Sequence, residues 1–135
     1  MLALNYMHKK NISHRDLKLE NLMCQNDKMD DLNVKLTDFG FATFFDPKLK
    51  MHLSLGSPLY MAPELVMESD YDQRVDVWSL GCLLYILLSG SPPFSGKTKE
   101  EISHSIMNRD PAFNGPEWKK ISPEAKDFCE NCLEK

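Results

Sequence analysis

The sequence has no apolar run long enough to cross a membrane as a helix. Its longest, residues 75–88, is interrupted by Asp76 and Ser79 and falls short of the roughly 20 residues that a span needs. It is expected instead as a buried core helix. The opening Met1-Leu2-Ala3-Leu4-Asn5-Tyr6-Met7-His8-Lys9 lacks the basic start and apolar stretch of a secretory leader. With no sign of export, the four cysteines at 24, 82, 129 and 132 are expected as free thiols in a reducing, cytoplasmic setting. Clusters of one charge are also missing. The sixteen Lys and Arg are scattered and the formal net charge is -4, which argues against a binder of nucleic-acid backbones. Internal repeats and low-complexity stretches are likewise absent. What is there is a globular make-up, 42% hydrophobic and 27% charged over 135 residues, sufficient for one domain with a core.

Along the chain, Leu2, Leu4, Met7 and His8 have the spacing of the last turns of a helix that begins upstream. Residues 11–21 are polar, with no sustained period. Leu22-Met23-Cys24 and Val34-Lys35-Leu36 are expected as two strands of a hairpin joined by the polar stretch 25–33. Residues 37–61, punctuated by Gly40, Pro47, Gly56 and Pro58, read as an extended loop, and a loop of that length in a compact domain is usually functional or disordered. After Pro63 the chain turns helical, with a short turn at 65–68 and the long buried helix at 74–88 ending on Ser89-Gly90. Thr98-Lys99-Glu100-Glu101 forms a capping box that opens an amphipathic helix through Ile102, Ile106 and Met107. Ser122 with Pro123 after it starts a final helix carrying Ala125, Phe128, Cys129 and Cys132. That helix meets the chain end without a stop signal, so both termini are expected to be cut.

Chemistry concentrates in three short motifs in a fixed order. His14-Arg15-Asp16-Leu17-Lys18-Leu19-Glu20-Asn21 comes first, Asp38-Phe39-Gly40 begins 17 residues after Asn21, and Ala62-Pro63-Glu64 follows a further loop. Each alone is weak, and any one polar residue in them reads most simply as a solvated loop residue. The ordered set with a hairpin between its first two members is specific. It resembles the eukaryotic protein kinase family, and the resemblance runs over essentially the whole chain. Lys18 and Gly56-Ser57-Pro58 resemble the serine/threonine branch. The stretches from Tyr85 through Pro92-Pro93-Phe94, and Phe113-Asn114-Gly115-Pro116-Glu117-Trp118, resemble the calcium/calmodulin-dependent and calcium-dependent kinase group.

That resemblance implies a mainly α fold, a kinase-like C-terminal lobe with a small β-hairpin beside the catalytic loop. Residues 14–21 would be the catalytic loop, 38–64 the activation segment and 65–135 the helical remainder. The reaction implied is transfer of the γ-phosphate of ATP, with Mg2+, to Ser or Thr hydroxyls of protein substrates. Such a transfer depends on placement and on neutralising spread negative charge. Asp16 would orient the substrate hydroxyl and accept its proton, and Lys18 would meet the moving phosphate. Asn21 and Asp38 would supply the hard oxygens that magnesium prefers. Met23 would lie beneath the adenine ring, so that Lys18, Glu20, Asn21, Met23 and Asp38 make up the nucleotide-side set. Glu20 also stands where basophilic members hold a substrate arginine, although Ile86 stands where some of them carry a second acidic residue. Ser57 would contact Asp16 and Lys18, and Met61 would help to line an apolar pocket.

By the same resemblance, Arg15 receives a phosphorylated or acidic residue of the activation loop. The loop offers Thr43, Ser54 and Ser57, with Leu53 at the usual primary phosphosite and Ser54 as the nearest substitute. His14 and Phe39 would form a stacked pair. Asp76 would hold the backbone of the His-Arg-Asp turn, or, read simply as a helical residue, would be an N-terminal carboxylate favoured by the helix dipole. A regulatory kinase or a calcium-sensor module is the implied partner besides protein substrates, with no nucleic acid and no membrane.

Other patterns fail on chemistry. Gly90 to Gly96-Lys97-Thr98 has five intervening residues, two of them proline, and follows a helix, so it cannot form a phosphate-cradling loop. Cys129-x-x-Cys132 has no second pair for zinc and reads as a helix face. Asp27, Asp31 and Asp38 approximate a calcium loop, but Met29 and Leu32 stand where a ligand and a glycine are required. His8, His52 and His104 carry no usable pattern. A glycine-rich nucleotide loop and the strand lysine of the family's small lobe are also missing, so the N-terminal lobe is expected to be absent. The arginine partner of Glu64 is expected beyond Lys135, leaving Glu64 as a costly buried unpaired charge. The 135-residue chain by itself is therefore expected to transfer phosphate poorly. The alternative to an enzyme is an inactive kinase-like lobe that binds other proteins.

Overall fold

The computed structural model describes residues 2–26 and 33–135. Helix α1 (Leu2–Lys9) leads into β1 (Ile12–Ser13), then β2 (Leu22–Cys24) and β3 (Val34–Leu36), followed by β4 (Thr43–Phe44). The rest is helical: α2 (Pro63–Val66), α3 (Val75–Ser89), α4 (Lys99–Asn108) and α5 (Pro123–Cys132), with short 3-10 turns at Leu19–Asn21, Pro58–Tyr60 and Pro116–Lys120. Among the described residues no helix is long and apolar enough to cross a membrane.

Helix α3 is the centre of the molecule. It is apolar on nearly every side, as a helix surrounded by protein must be, and it buries Val75, Trp78, Cys82, Leu83 and Tyr85. Trp78 stacks on Phe94 with ring centroids 5.5 Å apart and an interplanar angle of 7°. Tyr85, Phe113 and Trp118 meet at centroid distances of 4.7 to 5.3 Å, the offset and edge-on geometry that aromatic rings favour. Helix α5 packs tightly on α3 at Gly81, where an added Cβ would lie 2.8 Å from Cβ of Cys132 and 2.9 Å from the Leu133 side chain. Gly90 ends α3 with φ 81°, a left-handed stop that glycine adopts without steric cost.

The expected hairpin forms. Leu22, Met23 and Cys24 pair antiparallel with Leu36, Lys35 and Val34, and Gln25 N–H donates to the carbonyl of Asn33 at 2.9 Å. The turn between them, with the calcium-like positions Asp27, Met29, Asp31 and Leu32, lies outside the described residues. Both helix starts with a side-chain cap were also legible. Thr98 accepts from Glu101 N–H at 3.2 Å and Ser122 from Ala125 N–H at 3.2 Å. The capping box is only half formed, because the Glu101 carboxylate reaches back to Lys97 N–H at 2.6 Å and not to Thr98.

Elsewhere the structure corrects the sequence reading. The stretches taken as irregular at 11–21 and as a loop at 37–61 contain a second sheet, with Ile12 opposite Phe44 and Ser13 opposite Thr43. Met51 and Tyr71 form an isolated antiparallel bridge. The helix expected at 65–68 starts earlier, because Pro63 sits in its first turn, where its fixed φ suits a helix. It stops before Glu68, whose φ of 53° is left-handed. Glu64 is half-buried, not buried, lining an open cleft with Met67, Arg74 and Trp78, and its charge acts on Arg74.

Candidate active site

The turn at 14–16 is fixed from beneath by α3. Asp76, in the first turn of that helix, is completely buried, and an ionised carboxylate there needs several donors. Four reach it: Ser13 Oγ at 2.9 Å, His14 N–H at 2.9 Å, Arg15 N–H at 2.7 Å and His8 Nε2 at 2.8 Å. Arg15 is thereby held at φ 66°, an uncommon conformation for a side chain of its size. Asp76 therefore acts as more than a residue at a favourable helix end. His8, for which the sequence offered no partner, belongs to the same cluster.

His14 is also buried, and its two ring nitrogens have different tasks. Nε2 donates to the carbonyl of Thr37 at 3.2 Å, and Nδ1 accepts from Asp16 N–H at 3.3 Å. The ring thus links the catalytic-loop motif to the residue before Asp38. Phe39 meets it edge-on, at 5.4 Å and 62°, not stacked as expected. An aromatic edge against a ring face suits their opposed quadrupoles.

Asp16, Lys18 and Asn21 converge. Lys18 Nζ donates to Asp16 Oδ2 at 2.6 Å, and Ser57 Oγ donates to Asp16 Oδ1 at 3.0 Å. Asn21 Nδ2 donates to the Asp16 carbonyl at 2.9 Å and, more weakly, to Oδ2 at 3.4 Å. Lys18 also reaches Ser57 Oγ at 3.3 Å, so Ser57 bridges the two residues as expected. Burial disfavours the Asp16 carboxylate, but the bonds from Lys18, Ser57 and Asn21 together with the Lys18 charge outweigh it and hold the carboxyl below its usual range. The bond to Asp16 raises the Lys18 ammonium in turn. Both groups are charged at neutral pH.

Asp38 arrives by way of the hairpin. Thr37, one residue past β3, donates to the Asn21 carbonyl through its N–H at 2.9 Å and its Oγ1 at 3.1 Å. Asp38 follows in an exposed left-handed turn, φ 57°, with Oδ1 accepting from Gly40 N–H at 3.1 Å. Its charge and that of Glu20 both act on Lys18. Met23 is 60% exposed on β2, and Glu20 is exposed on the 3-10 turn. Met61 lines a shallow recess whose walls mix Leu17, Leu55 and Leu65 with Arg15, Asp16, Ser57 and Ser79, so the apolar pocket expected there is not formed. Ile86 packs on the core.

Two expectations about the loop change. Ser54 Oγ donates to the carbonyl of Leu65 at 3.0 Å, turned toward α2 and not toward Arg15. Arg15 instead spends its guanidinium on the Phe41 carbonyl at 2.8 Å and the Tyr71 hydroxyl at 3.2 Å. Tyr71 drew no notice in the sequence, where it stands alone in a polar stretch. Cys129 and Cys132 face the core, and burial pushes the Cys129 thiol up to about 12.

The chain matches the protein kinase domain family over residues 1–135. It belongs to the protein kinase family. Among curated kinases it is 42% identical over 131 residues to calcium-dependent protein kinase 4 of Plasmodium berghei, covering 97% of this chain and 25% of that protein. It is 45% identical over 126 residues to myosin light chain kinase A of Dictyostelium discoideum, covering 93% and 42%. Serine/threonine-protein kinase 33 of Mus musculus is 40% identical over 133 residues, covering 93% and 27%. The chain thus spans between a quarter and about two-fifths of the length of these relatives. Its kinship within the kinases lies with the calcium-dependent and myosin light chain group. The helix-rich lobe with its antiparallel hairpin agrees with that membership.

Proposed function

We propose that this kinase chain serves ATP- and Mg2+-dependent transfer of the γ-phosphate to Ser and Thr hydroxyls of proteins. The observation that carries it is the ionised Asp16 carboxylate, hydrogen-bonded at once by Lys18, Asn21 and Ser57. In this reading Asp16 orients the acceptor hydroxyl and takes its proton as the new O–P bond forms. The bond between the γ-phosphorus and the bridging oxygen breaks, ADP leaves and the proton passes to solvent. Lys18 places a positive charge beside the transferring group, where it counters developing negative charge. Met23 offers an apolar surface at hairpin level for the adenine.

The donor set fits magnesium. The Asn21 nitrogen is committed to Asp16, which leaves its amide oxygen as the ligating atom, and Asp38 offers a carboxylate. Two protein oxygens suffice for an ion that otherwise keeps phosphate and water oxygens. When bound, the ion would neutralise phosphate charge. Glu20, exposed and acidic, is suited to a basic residue in the substrate. The names of the relatives favour calcium control through a sensor module, with a regulatory kinase as the other candidate.

The test is transfer of label from γ-labelled ATP to a Ser/Thr peptide by the full-length protein that contains these residues. Asp16→Asn is expected to lower kcat by about 10²–10⁴-fold, the scale of a lost general base. Wild-type turnover in that variant would overturn the assignment.

A further inference from the structure

The phenol of Tyr71 does something the kinase motifs do not account for. It is buried, 2% exposed, yet its hydroxyl is used twice, accepting from Arg15 Nη1 at 3.2 Å and donating to the Leu53 carbonyl at 2.6 Å. Its backbone is paired as well. Met51 N–H donates to the Tyr71 carbonyl at 2.8 Å, and Tyr71 N–H donates back at 2.9 Å. A side-chain contact flanks this bridge on each side, the ion pair of Lys50 with Asp72 at 2.6 Å and the hydrogen bond of His52 Nδ1 with Asp70 Oδ1 at 2.5 Å. Residues 50–53 are therefore tied residue by residue to residues 70–72.

Arg15 is the other end of the tie. Among the described residues it makes no ion pair. Its Nε donates to the Phe41 carbonyl, so both of its side-chain bonds go to neutral oxygens. It precedes Asp16 and its own N–H is fixed by Asp76. Leu53 contributes a backbone carbonyl to this network while its side chain is 62% exposed, and the Ser54 hydroxyl is occupied at Leu65. No hydroxyl of residues 53–54 is directed at the guanidinium.

We propose that Tyr71 is a positioning residue that locks residues 50–53 onto the catalytic turn through Arg15, so that this segment is ordered without a phosphate group. The proposal rests on the kinase reading for its effect on turnover, and on geometry alone for its effect on the segment. The ring itself fills core space in either case, so the hydroxyl is the group to remove.

The experiment compares Tyr71→Phe with Tyr85→Phe in the full-length protein. Tyr85 supplies a matched control, a buried phenol whose hydroxyl donates to the Ala112 carbonyl and which packs on Phe113 and Trp118. Tyr71→Phe is expected to lower kcat about tenfold, the scale of a small misplacement of catalytic groups, with KM for ATP unchanged and faster amide exchange at 50–54. Tyr85→Phe is expected to leave kcat and that exchange as they were. Equal kcat losses in both variants, or wild-type kcat and exchange in Tyr71→Phe, would overturn the proposal. Phosphatase treatment of the wild type needs no substitution and is expected to leave turnover intact; loss of turnover would overturn it too. If the wild type and Asp16→Asn are equally inactive, the kinase reading has failed, and exchange at 50–54 still decides the role of Tyr71.

Discussion

Lys18 Nζ sits 2.6 Å from Asp16 Oδ2, two residues apart on an extended loop, and each group keeps the other charged. Removing the cation takes away one hydrogen bond and one opposite charge that favour the ionised Asp16 carboxyl, while burial still opposes it. Lys18→Met is therefore expected to raise the Asp16 titration midpoint, read by carbon NMR of the carboxyl group. The wild-type carboxyl should titrate below the usual aspartate range, because its neighbours stabilise the charged form. A variant midpoint at or below the wild-type value would contradict this account.

Asp76 gathers donors from residues more than 60 positions away along the chain. Asp76→Ala would leave the buried Ser13 hydroxyl and two backbone N–H groups without an acceptor. A destabilisation of about 3–5 kcal/mol is expected, the scale of breaking a buried charged network, measured as a shift in urea midpoint. A loss under about 1 kcal/mol would mean that water replaces the carboxylate at little cost.

Asp72 holds Arg74 through both carboxylate oxygens and Lys50 through one. Hydrogen bonds from Arg74 lead in pulling its carboxyl well below the usual range, against the opposing effect of burial. A depressed carboxyl pKa stabilises the fold above the unfolded value and loses that contribution as pH falls toward the folded one. Asp72→Asn should therefore cost about 1 kcal/mol at pH 7, a modest figure because the partner cations are largely exposed. The gap between the two proteins should close as pH drops below about 4. Thermal melts across that range check both statements.

Gly81 lets α5 approach α3 more closely than any side chain would allow. Gly81→Ala puts a methyl group inside 3 Å of Cys132 and Leu133, and the helices must separate to admit it. Overpacking of this kind costs about 1–3 kcal/mol. A lowered melting temperature is expected, and an unchanged one would show that the helix pair yields easily.

The parts legible in the sequence were those encoded locally. The hairpin strands were marked by short apolar runs between polar stretches, α3 by a long apolar run that only Asp76 and Ser79 interrupt, and the starts of α4 and α5 by Thr98 and Ser122. The motif order singled out Asp16, Lys18, Asn21 and Asp38, and the hairpin returns Thr37, the residue before Asp38, to the Asn21 carbonyl. The two-residue strands at 12–13 and 43–44 left no trace, because so short a segment has no period and its partner lies about 30 residues away. His8 and Tyr71 were hidden for a related reason. Each acquires its role from a residue 56 to 68 positions distant, and neither has a neighbour in sequence that announces it. The orientation of Ser54 depends on where α2 docks, which local chemistry does not specify.

The chain's two tryptophans, Trp78 on α3 and Trp118 on the turn packed against it, are each 4% exposed. Their emission is therefore a probe of one half of the molecule, the helical layer around that axis. Fluorescence followed during unfolding should shift to the red only when this layer takes up water. It should be silent to loosening of the hairpin, so a second optical probe near Met23 would be required to see that pair of strands come apart.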